Sequence, residues 1–340
     1  MTTITRTHAC LALCCVLLVG FGSLPTGASM PGAELAQEEN QPTDAEEFIQ
    51  AFDEREGSEV TEEYSELEII RSQAVQDAQV GNFTSETQAR LELVWQLFNA
   101  FEAAHHAEQE GSYDDSLTNA SEARGLVTEL RDAPGGEQYA SASAVALDRF
   151  YEELGESLLA LAEETAETPE RITLLSQSAT AFDEAGDADR FAEVELQADE
   201  TQQEFENDYE QLNESSETVE TFVSACEDCD SVIDRVTADP LSVFDEYVDS
   251  REAVDAGEEA TGIADRHNLD DEQEAIAGPY EEAQSNQGTL AMASATVVLS
   301  YSAAVGIVAA ILLWRLLHWR RDLFAAKRGD VILMGEMYDG

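Results

Sequence analysis

Carboxylates dominate the middle of this chain so heavily that they restrict what it can fold into: residues 29 to 289 hold 68 Asp and Glu against 11 Arg and no Lys. In ordinary buffer a net charge of −55 creates self-repulsion that opposes a compact state, because the Debye length is about 10 Å at 0.1 M salt. In molar salt it shrinks to about 3 Å, neighbouring carboxylates barely sense one another, and their hydration keeps the surface wet. The composition is that expected of a halophilic protein, and the 16 Arg to a single Lys fit a surface that avoids long ammonium stems. Disorder is disfavoured, since 43% of residues are hydrophobic and recur at helical periods. Nucleic acid is excluded as a partner because phosphate binding needs Lys and Arg clusters, which this block lacks.

Two apolar segments flank the block. Arg6, the run Cys10 to Phe21, and Thr26 with Ala28 form a signal-peptide pattern over residues 1–28. The run is shorter than the roughly 20 residues a spanning helix needs. Leu290 to Trp314 is 25 residues without a charge, long enough to cross a bilayer with some tilt, and the transmembrane helix is placed at 288–317. Arg315, Arg320, Arg321, Lys327 and Arg328 come after Trp314, whereas the other flank has no basic residue back to Arg266. That asymmetry predicts a short cytoplasmic tail, 318–340, and an acidic extracellular domain, 44–287. Sequons at Asn82, Asn119 and Asn213 all fall between the apolar segments and are candidate N-glycosylation sites.

Residues 29–43, rich in Pro, Gln and Glu, read as a disordered spacer. Beyond them breakers are sparse. Thr43 with Glu46 and Ser85 with Gln88 form capping boxes, and Thr168-Pro169 and Asp239-Pro240 set a cap residue before a first-turn Pro. Helices are predicted over 44–56, 59–80, 84–110, 113–132, 137–167, 169–185, 187–212, 216–238 and 241–267. Leu91, Val94, Phe98, Phe101 and His105 recur at steps of three and four, as do Ile172, Leu175, Ala179 and Phe182. Each set is one buried helical face. Residues 187–239 contain neither Gly nor Pro, yet the Asn213 sequon and Ser215-Ser216 predict a break between two helices there.

Phe182-Asp183-Glu184-Ala185-Gly186-Asp187, followed by Ala192 and Ala198, resembles the turn between the helices of a tetratricopeptide repeat, and His105 to Ala123, with Gly111 and Tyr113, resembles it more faintly. The match lacks a steady 34-residue period and the Trp-Leu-Gly signature. The whole resembles a type I membrane protein of a halophilic archaeon built on degenerate tetratricopeptide-like hairpins, which implies a partner-binding array. A plain up-and-down bundle explains the same spacing. Either way the expected class is all-α, with one C-terminal transmembrane helix.

Cys226-Glu227-Asp228-Cys229 holds the two cysteines outside the leader. A local disulfide, buried thiols, half a metal site and a redox pair are the readings open to it. Neighbouring carboxylates disfavour the thiolate that redox chemistry needs. His106-Ala107-Glu108 lies 118 residues from the pair, and Ala225 stands where a zinc deaminase has Pro, so these pieces make no such set. His105 is read as a core histidine and His106 as exposed. Neither a Gly-rich phosphate loop nor a Gly-x-Ser-x-Gly elbow is present. The expectation is a non-enzyme without cofactor: a surface scaffold or interaction module with a protein partner in the envelope or membrane, loosely binding Ca²⁺ or Mg²⁺. An accessory sensor relaying ligand binding to an integral partner is the alternative.

Overall fold

The computed structural model describes residues 41–79, 83–226 and 242–336, with Val236, Asp239 and Pro240. The expected signal peptide and most of the spacer lie outside the described residues. Among the described residues there are ten helices and no strand. They are α1 (Ala45–Asp53), α2 (Glu59–Glu63), α3 (Ser65–Gln79), α4 (Ser85–Gln109), α5 (Tyr113–Asp132), α6 (Glu137–Glu164), α7 (Thr168–Ala185), α8 (Ala188–Ala225), α9 (Ser242–His267) and α10 (Asp270–Glu336). The chain divides into two units, Met1–Phe150 and Tyr151–Gly340, with the division falling inside α6.

In the first unit the helix starts are chemical. Asp44 accepts from the amides of Glu46 and Glu47 at 3.0 Å, while the Glu47 carboxylate reaches back to Thr43. Thr84 caps α4 by accepting from Thr87. Both caps sit one residue from the predicted boxes. The predicted helix 59–80 is two helices, because Tyr64 leaves helical geometry (φ −105°, ψ 89°). Its ring is thereby buried edge-on against Phe101, at 5.0 Å, and Phe150, at 6.2 Å. Phe48, Phe52 and Phe98 continue this aromatic core, with Leu91, Val94 and Phe101 fully buried.

The scarce arginines fasten helices together. Arg71, buried, donates to Glu68 at 2.6 and 2.8 Å and lies 3.7 Å from Asp53. Its hydrogen bond holds Glu68 below the usual carboxylate range, against the opposing effect of burial. Arg90 joins Asp77 of α3 to the Pro134 carbonyl after α5. Tyr139 donates to the same Asp77, and burial, then that carboxylate, pushes its phenol well above its ordinary value.

The second unit is built around α8, α9 and α10. Gly186 (φ +78°) ends α7 in the left-handed conformation that glycine adopts at low cost, and Asp187 caps α8 through the Arg190 amide. The predicted break at 213–216 does not occur: α8 runs unbroken through it. Leu212 and Val219 are buried on either side, Ser215 donates to Glu259 of α9 at 3.2 Å, and Asn213 bonds back to the Tyr209 carbonyl. Packing along one stripe overrides the weak helix propensity of Asn and Ser. Two apolar clusters line the bundle. One joins Leu212, Ala260, Ile263, Leu269 and Ile276, and the other Val219, Phe222, Cys226, Ala253, Ala283 and Leu290. Helix α10 includes residues 270–287, over which the sequence pattern predicts no helix, and contains Pro279 in its interior. Ile276 and Ala283, buried on either side of that proline, hold the helix on its neighbours where a Pro would otherwise favour a break.

Candidate functional site

Three places in the second unit gather the residues of interest. The first is a buried polar cluster. His267, at the end of α9, is 4% exposed. One ring nitrogen lies 3.0 Å from Thr168 Oγ1 and the other 3.0 Å from Asp208 of α8, which Arg266 also contacts. Phe205 packs edge-on against the ring at 5.3 Å, and Asn268 (φ +52°) donates to the Ala166 carbonyl. The hydrogen bond from His267, with Arg266 beside it, holds Asp208 below the usual carboxylate range. Hydroxyl, imidazole and carboxylate in line are the parts of a nucleophilic triad. Here, however, Thr168 is 2% exposed, so its hydroxyl offers a substrate no approach. The cluster instead ties the start of α7, the middle of α8 and the α9–α10 turn at one point. Thr168, read from sequence as a cap, lies within α7, and its hydroxyl is turned to His267; Glu167 occupies the cap position.

The second place is the cysteine. Cys226 ends α8, is buried against Phe222 and Ala253, and is disulfide-bonded; Cys229 lies outside the described residues. Further along the bundle, α8 and α9 border an open groove of about 850 Å³ lined by Arg251 together with Glu214, Glu252, Asp255, Glu258 and Glu259. Glu259 accepts from Gln211 and Ser215. Among the described residues no group of three or more His, Cys, Asp or Glu is arranged to hold a metal ion. Of the sequons, Asn82 lies outside the described residues, while Asn119 and Asn213 stand within α5 and α8. In the first unit, His105 is buried and within 2.8 Å of Glu63, and His106 is exposed beside Glu110.

The third place is α10 itself. Leu290, Ala293 and Val297 are buried in the bundle. From Val298 through Arg321 every residue is exposed, including Leu299, Val305, Ile311, Leu313, Trp314 and Trp319. Only 6% of its most apolar stretch is buried, which separates it from the core helix of a soluble protein. Arg315, Arg320 and Arg321 project from the next turns, and Trp314 stacks on His318 at 5.8 Å. Lys327 and Arg328 follow within the same helix.

Among the described residues, fold and site together define an all-α architecture with one helix long and apolar enough to cross a membrane. Compared with protein families, curated proteins and solved structures, the chain finds no match.

Proposed function

We propose that this is a single-pass, type I cell-surface protein of a high-salt habitat, whose acidic helical outer domain serves as a scaffold or interaction module for other envelope or membrane proteins. The observation that carries the reading is the change of surface along α10: one face buried in a carboxylate-coated bundle up to Val297, apolar on all sides beyond it, then a basic cluster that favours the cytoplasm. The disulfide at Cys226 supports an oxidising exterior. Hairpins such as α4–α5 and α7–α8, closed at Gly111 and Gly186, supply the stacked helical faces by which such arrays bind partners. Loose association of Ca²⁺ or Mg²⁺ with the carboxylates belongs to the same reading, with no enzymatic step and no cofactor. Cross-linking on native membranes kept at high salt, followed by affinity capture of the full chain, tests it. The expected result is one or a few stoichiometric envelope or membrane proteins; a freely diffusing monomer would contradict the scaffold role.

The unbroken course of α10 favours a second reading, an accessory receptor that relays ligand binding along the helix to an integral partner. It expects a small molecule or ion to raise the melting temperature of the outer domain by several degrees, which a passive scaffold does not require.

A further inference from the structure

We infer that the first turns of α10 beyond its apolar stretch form a collar for the phosphates of anionic phospholipids in the leaflet those turns face. The inference rests on the membrane-spanning reading above. Leu290 packs with Phe222 and Ala253, and the α9 turn that leads into Ala253 presents exposed Asp249 and Glu252. Hydrocarbon does not accommodate such carboxylates, so the apolar slab begins at about Val298. A slab about 30 Å thick takes about 20 residues at 1.5 Å each, and from Val298 these end near Leu317. Arg315 then lies just inside the hydrocarbon edge, while Arg320 and Arg321 lie beyond it, at the depth of the lipid phosphates. An arginine at the edge stays favourable only by extending its stem toward an anion.

The arginines are also spread around the helix. At 3.6 residues per turn, Arg320 and Arg321 stand about 140° and 240° from Arg315. No single partner face meets all three, whereas a ring of lipids does. Guanidinium matches a phosphate diester through paired donors, which an ammonium does not. Trp314 and Trp319, both exposed, supply the aromatic rings that settle at this depth. Arg320 lies over the Phe324 ring at 5.9 Å, which leaves its edge donors open.

The test is reconstitution of the full chain into nanodiscs of phosphatidylcholine and phosphatidylglycerol in equal parts, followed by detergent extraction and mass spectrometry of the lipid that stays bound. We expect phosphatidylglycerol to be enriched at least about threefold over input, in keeping with the attraction of each basic residue to an anionic surface. Arg315→Lys/Arg320→Lys/Arg321→Lys should retain only part of the enrichment, and the corresponding triple Gln variant none. Equal retention of both lipids by the wild type overturns the collar, as does enrichment that survives in the Gln variant; capture of a soluble acidic protein in place of lipid overturns it in favour of a protein partner. Each chain is first tested for resistance to alkaline extraction: failure of the wild type there refutes the membrane-spanning reading itself, whereas failure of the lipid assay alone leaves that reading standing.

Discussion

At the scale of single residues, neighbours set Asp208 apart from most of the 72 carboxylates. Asp208 takes hydrogen bonds from His267 and Arg266 and is held below its ordinary value of 3.8. A folded-state value below the unfolded one contributes stability above about pH 4 that is lost as pH falls through the folded value. Asp208→Asn should therefore be less stable at neutral pH and should lose less stability than the wild type on acidification below that range; parallel melting curves would contradict this. His267→Ala leaves Thr168 and Asp208 without their ring partner and should cost about 1–3 kcal/mol, read as a lower thermal midpoint. None of this cluster was legible as a unit, since Thr168 and Asp208 lie 99 and 59 residues from His267. No local pattern marked Asp208 among so many carboxylates. His105 was legible, because it falls on the Leu91–Phe101 stripe, and its burial agrees.

At the scale of elements, helix type followed from periodicity, whereas helix ends followed from packing. Tyr64 splits a predicted helix because its ring gains more from Phe101 and Phe150 than the backbone loses at one turn. Asn213 to Ser216 stay helical because Leu212 and Val219 are buried on both sides; a local reading sees only the poor helix formers. Amide hydrogen exchange should accordingly show residues 210–220 of α8 protected to the same degree as 195–205, and rapid exchange confined to 213–216 would restore the break. The contact of α9 with α10 turns on Gly257, where an added Cβ would lie 2.3 Å from the Tyr280 ring. Gly257→Ala should therefore destabilise the bundle by about 1–3 kcal/mol through overpacking, despite the better helix propensity of Ala. A gain in melting temperature would show that Tyr280 moves aside freely.

For the whole molecule, charge and hydropathy carried most of what the sequence revealed. The all-α class was visible in the stripes, and Leu290 to Trp314 was visible as an apolar run because its signal is compositional. Hidden from composition was that Leu290, Ala293 and Val297 are buried in the bundle, since apolar residues read alike whether they face protein or lipid. The density of carboxylates predicts that circular dichroism will show mostly helix in molar KCl and a substantial loss in dilute buffer; full helicity without salt would refute the repulsion argument. Arginine ties such as Arg71–Glu68 and Arg190–Glu156 relieve that repulsion only locally. The central claim is the placement of the acidic bundle outside and the basic tail inside, on one continuous helix. It is tested most directly by adding protease to intact cells carrying a C-terminal epitope. Digestion of the acidic domain, with a protected fragment that retains the epitope and the end of α10, is the predicted result. Loss of the epitope with survival of the acidic domain would contradict it.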